Sequence, residues 1–203
     1  MAIHLHKGDL PAGLDLGPVV AIDTETMGLN PHRDRLCLVQ LSAGDGDAHL
    51  VQFARGQYDA PRLKALLTDP QRLKLFHFAR FDVAVMRHYL GVVTRPVYCT
   101  KIAARLVRTY TDRFGLKDLT KELLGVELSK QQQSSDWGAD PLTREQLEYA
   151  ASDVLHLHKV KARLDVLLDR EQRRDLADAA FSFLPYRALL DLEGWADTDI
   201  FAH

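Results

Sequence analysis

The stretch VVAIDTETMGLN, Val19 to Asn30, constrains this chain more than any other. Its apolar run, Val19 to Ile22, reads as a buried strand. That strand runs directly into two carboxylates, Asp23 and Glu25. Residues two apart on a strand share a face, so both acids project the same way at the strand's end. Like charges held side by side on a rigid element need compensation, and a divalent cation is the common means. An Asp-x-Glu pair alone fits a metal site or two exposed loop acids, so other parts of the chain must decide.

The surrounding pattern predicts what that strand belongs to. Three apolar, alternating runs, Val19–Asp23, Arg35–Ser42 and Ala48–Phe53, follow one another with short connections, and Asp45–Asp47 (DGD) marks a turn. They predict an antiparallel meander. Leu63, Leu66 and Leu67 have helical spacing, Arg72–Phe78 alternates as a strand, and FDVAVMRHYL returns to helical period. Pro96 opens a short strand, RPVYCT. Beyond Thr100 the pattern is mostly helical: one long helix is predicted from Leu142 to about Leu168, with Thr143 as N-cap, and a last one over Glu171–Leu192. A meander followed by alternating helices and strands, and then helices, predicts an α/β fold with a mixed central sheet and a helical C-terminal segment. The 203 residues, 46% of them hydrophobic, suffice for one sizeable core, and a single domain over 1–203 is expected.

Two further acids join the first pair. Asp82, in FHFARFDVAVM, opens a helix after a buried strand, where the helix dipole alone would favour an acid. Asp153, in EQLEYAASDVLHLH, lies one helical turn after Tyr149, so the two share a face. Beside them run Leu147, Ala150, Ala151, Val154 and Leu157, and polar groups on such a stripe need partners if buried. A Tyr–Asp pair at the edge of the core would satisfy that need as well.

Composition narrows the partners. The net charge is −2, which excludes a globally basic nucleic-acid binder. Between Arg80 and Lys121, however, nine Lys and Arg face only Asp82, Asp112 and Asp118. That excess fits either a local anionic partner or solvated helix faces. Cys37 and Cys99 lie in no metal-binding spacing and read as ordinary buried thiols of a reducing compartment. No apolar run spans a membrane and the first residues carry no signal core, so a cytoplasmic protein without membrane contact is expected.

Taken in order, DTET, HFARFD and YAASD resemble the three motifs of the DEDD exonucleases, and the Tyr four residues before the last Asp resembles the DEDDy subtype. LVQLS, YCTKIAARL, GLKDLTKELLG and KQQQSSDW are similar to the ribonuclease D-like branch. From HKGDLP through NPHRDRLCLVQLSAGDG and RTYTDRFGLK to GWADTDIFAH, the chain resembles the compact nano-RNases of that branch nearly end to end. The resemblance implies a ribonuclease H-like fold and a metal-dependent 3′-to-5′ exoribonuclease acting on dinucleotides and very short RNAs. A broader exonuclease on longer RNA or DNA ends is the alternative. A catalytically dead nucleic-acid-binding module is a third, opposed by the presence of every acid and the tyrosine.

The same resemblance implies roles. Asp23 would bridge two ions, Mg²⁺ or Mn²⁺; Glu25 and Asp153 would complete the first, and Asp82 would serve the second. Tyr149 would orient the water. Thr26 and Met27 would line the 3′ nucleotide's site, and Leu29 would wedge between two bases, unless it is a core leucine. His77 is either a structural histidine or a phosphate contact, and Lys130 would face a substrate phosphate. Gln131 to Ser135, Arg113 and Lys117 are nearby polar candidates, and Trp137 is read as packing. Phe78 departs from the family pattern, where Asn is frequent. A homo-oligomeric ring, octameric, is implied, with FLPYRALLDLEGWADTDIFAH as an assembly segment.

Overall fold

The computed structural model describes residues 2–129 and 131–203. Among the described residues six strands form one mixed sheet: β1 (Ile3–Lys7), β2 (Val19–Thr26), β3 (Leu36–Ser42), β4 (Ala48–Gln52), β5 (Leu73–Phe76) and β6 (Val97–Cys99). Their order is β1-β4-β3-β2-β5-β6. The predicted meander is present: β2 pairs antiparallel with β3, and β3 antiparallel with β4. β3 is buried at every position, as a central strand covered on both faces must be. β5 and β6 add in parallel on the other side of β2. The parallel edge strand β1, beside β4, was not predicted. Its two apolar residues alternate with histidines, and the rings of His4 and His6 stack on His49 across the strand pair.

The α-helices of the described residues flank the sheet: α1 (Pro61–Thr68), α2 (Ala79–Leu90), α3 (Thr100–Val107), α4 (Leu116–Leu124), α5 (Arg144–Leu155), α6 (Leu157–Arg170) and α7 (Arg174–Leu190), which runs into a π-helical turn at Asp191–Trp195. α5 packs across β1 to β4, while α2 lies against β3, β5, β6 and α7. Thr143 caps α5 with a full capping box, its hydroxyl accepting from the Gln146 N–H while the Gln146 side chain accepts from the Thr143 N–H. The single helix predicted from Leu142 to about Leu168 is two helices that meet at His156. The apolar pattern continues through the break because Val154, Leu157 and Val160 are all buried in one core. Cys37 and Cys99 are buried free thiols, as expected. No helix among the described residues is long and apolar enough to cross a membrane.

Candidate active site

The site lies at the C-terminal end of β2, where its pairing with β3 shifts register. β2 and β3 run in register from Ala21↔Ser42 to Glu25↔Leu38, and the register then shifts between Glu25 and Thr26, with pairing resumed at Thr26↔Leu36. Such an irregularity re-aims side chains at a sheet's edge. Alternation sends Asp23 and Glu25 to one face, and α5 delivers Asp153 there. Oxygens of Asp23, Glu25 and Asp153 all fall within 4.8 Å of one another. Thr24, between the two acids, donates its hydroxyl to the Asp82 carboxylate at 2.7 Å, with both residues buried. Asp82 lies outside the group whose ligand atoms are mutually close, yet its charge acts on both Asp23 and Glu25.

The electrostatics are those of four acids that cannot all stay ionised unaided. Burial, followed by repulsion from Asp82, Asp153 and Glu25, pushes Asp23 well above the usual carboxylate range. Glu25 is raised by burial and then by Asp153 and Asp82. Burial lifts Asp82 to about 7 against the opposing Thr24 hydrogen bond. Asp153 is also lifted to about 7 by burial, while the Tyr149 hydroxyl pulls it back. Directly across from Asp23 in the sheet stands Gln40, fully buried, whose amide has no partner among the described residues. Hard oxygen donors, mutual repulsion and an orphaned amide fit a divalent cation of the Mg²⁺ or Mn²⁺ kind better than a site for softer metals.

Tyr149 sits beside the acids, its ring 6.0 Å from that of Trp137. Burial and the neighbouring carboxylates raise its pKa, so the hydroxyl keeps its proton at neutral pH and serves as a donor. Trp137 is only 2% exposed and packs, as expected.

A cleft of about 600 Å³ opens over this group. Thr26, Met27, Leu29 and His77 all line it. Leu29 is 86% exposed, which excludes the core-leucine reading. The loop beneath presents it: Asn30 N–H donates to Asp34 Oδ2 at 2.9 Å, and a Cβ on Gly28 would lie 2.3 Å from that same oxygen. Only glycine fits there, and the tight packing holds Leu29 outward. His77 accepts or donates at Nδ1 to the Thr100 hydroxyl, 2.8 Å away, and burial together with nearby Lys101 pushes it down to about 3. It is therefore a neutral, anchored histidine. Lys130 lies outside the described residues. Lys117, Gln133, Ser134 and Ser135 reach the cleft, whereas Arg113 does not line it. The sequence reading missed Lys101 and Phe81, which also line it. Lys101 follows a short strand and begins α3, a position whose only sequence signal is its place in the basic stretch.

The family model for 3′-5′ exonucleases matches residues 9–169. Ribonuclease D of Gluconacetobacter diazotrophicus is 37% identical over 158 residues, 78% of this chain and 40% of that protein. The chain therefore spans well under half the length of that curated relative. The structure of Brucella melitensis NrnC bound to pGG is 57% identical, with a TM-score of 0.97 over all of this chain and 99% of that one. A second structure of that protein, with bound Mg²⁺, is 56% identical over the whole of both chains, with a TM-score of 0.96.

Proposed function

The chain belongs to the 3′-5′ exonuclease family of the ribonuclease D and NrnC type, and from that premise we propose that it is a two-metal exoribonuclease that degrades dinucleotides and very short RNAs to 5′-mononucleotides. The observation that carries the reading is the group of Asp23, Glu25 and Asp153 oxygens within 4.8 Å of one another at the floor of an open cleft. Asp23 would be shared by both ions, with Glu25 and Asp153 on the first and Asp82 on the second. Two divalent ions held by these residues would lower the pKa of a water and stabilise the attacking and leaving oxygens of an in-line displacement. Tyr149 would orient that water through its hydroxyl, whose raised pKa keeps it from acting as a base.

The short-substrate reading rests on the cleft's size and on Leu29. A volume of about 600 Å³ suits a ligand of a few rings rather than a long strand. Leu29, exposed and lining the cleft, would wedge between neighbouring bases. The NrnC structure bound to pGG adds support by kinship. Lys130 and Lys117 are candidates for a substrate phosphate. The homo-oligomeric ring, octameric, is what the family likeness implies, and exposed Phe183, Tyr186 and Phe201, with ring centroids about 6 Å apart, are candidates for its contacts.

The test is kcat/KM for 5′-phosphorylated RNAs of two to seven residues and for matched DNA. The proposal expects the dinucleotide to be the best substrate and Leu29→Ala to erase that preference while leaving Mg²⁺ dependence intact. Equal kcat/KM for dinucleotides and long RNA or DNA would favour the broader exonuclease.

A further inference from the structure

Gln40 lies within β3, fully buried, and neither the oxygen nor the nitrogen of its amide has a partner among the described residues. Burying an amide unpaired forfeits its hydration and returns nothing, so such a group in a folded protein calls for a reason. The other buried glutamines of the described residues are engaged: Gln52 donates to the Ala139 carbonyl, and Gln146 to Ser135 and the Asp136 carbonyl.

Register identifies what the amide faces. Gln40 stands opposite Asp23 across β2 and β3, and opposite Leu50 across β3 and β4. Directly opposed residues of an antiparallel pair share a face, with Cβ atoms about 4.5–5.5 Å apart, so Gln40 is on the face of Asp23 and Glu25. Leu38 and Ser42, two residues away on β3, share that face as well. Leucine offers no hydrogen bond, and the Ser42 hydroxyl donates to the Asp47 carbonyl. The covering helix α5 buries Gln146, Ala150, Ala151 and Val154, of which only Gln146 has a polar side chain, already committed. The Asp23 carboxylate is therefore the acceptor that register sets beside the amide. Asp23 has the matching need: Thr24 gives its hydroxyl to Asp82, whereas Asp23 receives only the Thr24 backbone N–H.

We propose that Gln40 is a positioning residue of the metal centre: its amide N–H is the donor for the Asp23 carboxylate, and it fixes the orientation in which that carboxylate meets the cations. This rests on the metal-centre reading of the same acids. An amide suits the place because it donates without carrying charge. A lysine or arginine there would neutralise Asp23 and compete with the cation, and a further acid would add to the repulsion among the four. Ligating carboxylates are held by outer partners of this kind, and losing one costs about 10- to 100-fold in metal affinity or activity. The unpaired amide destabilises the metal-free fold, and its pairing with Asp23 offsets that cost when the site is loaded.

The test is calorimetric binding of Mg²⁺, with Tm measured in excess chelator and at one fixed Mg²⁺ concentration, for the wild type, Gln40→Met and Gln40→Leu. Methionine keeps the length of the side chain and loses the amide, and leucine is the second filling should methionine fit badly. The variant with the higher Tm in chelator is the decisive one. It should bind Mg²⁺ about 10- to 100-fold more weakly than the wild type. Its Tm in chelator should match or exceed the wild type's, because no paired amide was lost, and its rise in Tm on adding Mg²⁺ should be smaller. A merely structural glutamine would shift the Tm equally with and without Mg²⁺. Wild-type Mg²⁺ affinity in that variant would overturn the proposal. So would a Tm in chelator below the wild type's, which would show the amide paired without the cation. A wild type that binds no Mg²⁺ would remove the metal-centre reading itself, a failure distinct from an unchanged variant beside a wild type that binds.

Discussion

Thr24→Val removes a single hydroxyl and keeps the shape of the side chain. In the folded protein that hydroxyl donates to Asp82 at 2.7 Å, and both residues are buried, at 7% and 3% exposure. A hydrogen bond to a charged group contributes about 1.5–3 kcal/mol, and no water can replace it in so closed a place. The loss falls on the ionised form of Asp82, which is already so disfavoured that its pKa stands at about 7. Valine should raise that pKa further. At neutral pH the carboxylate would then be mostly protonated, and an ion it helps to hold would have to displace the proton. About 1.5–3 kcal/mol corresponds to roughly 10- to 100-fold in affinity. The assay is a Mg²⁺ titration of turnover at pH 7.5. The midpoint should rise by that factor in Thr24→Val, the rate should recover at high Mg²⁺, and the gap should narrow at pH 9, where Asp82 ionises without help. Thr24→Ser, which keeps the donor, should stay close to the wild type. An unchanged Mg²⁺ midpoint in Thr24→Val, with a normal Tm, would refute the assignment of Thr24 as the group that keeps Asp82 available to metal.

Tyr149→Phe keeps the ring beside Trp137 and deletes the hydroxyl; kcat should fall by on the order of 10²–10⁴ while the Mg²⁺ midpoint hardly moves, and a wild-type rate would make Tyr149 purely structural. Stability should depend on pH through the same acids. Asp23, Glu25, Asp82 and Asp153 all have folded pKa values above their unfolded ones, so what they contribute is fully present below the ordinary carboxylate range and is lost as pH rises through the folded values, which reach about 7 for Asp82 and Asp153. Mg²⁺ offsets that loss, so the rise in Tm on adding Mg²⁺ to chelated protein should be larger at pH 8 than at pH 5; equal rises at the two pH values would count against it.

The elements of the fold written in period and turn chemistry are legible in the sequence. The meander of β2, β3 and β4 follows from three apolar runs with short connections, and Thr143 announces the start of α5. Asp23 and Glu25 share a face because a strand alternates, and Tyr149 meets Asp153 because a helix turns every 3.6 residues. What escaped depends on distant partners. β1 is a short edge strand with only Ile3 and Leu5 as apolar residues, and its identity comes from pairing with β4. The break at His156 leaves the apolar stripe uninterrupted, so periodicity passes over it. Lys74 reads as a polar position on an alternating strand. It is fully buried, its ammonium satisfied by the carbonyls of Asp69, Arg72 and Arg95, each at 2.6 Å. The outward set of Leu29 depends on the contact between Gly28 and Asp34, and the left-handed Phe78 on the turn between β5 and α2. Neither turn leaves a periodic trace.

The most direct measurement of the central account is calorimetric titration of Mg²⁺ into the wild type and into Asp23→Asn at pH 7, in buffers of different ionisation heat, alongside turnover in excess chelator. The acids have raised pKa values and hold protons that a cation must displace. The wild type should therefore bind Mg²⁺ with net proton release, lose all turnover in chelator and regain it when Mg²⁺ or Mn²⁺ is restored. Asp23→Asn should show neither the binding nor the turnover. Full turnover in excess chelator, or Mg²⁺ binding in Asp23→Asn equal to that of the wild type, would contradict the assignment of this carboxylate group as the metal centre of an exonuclease.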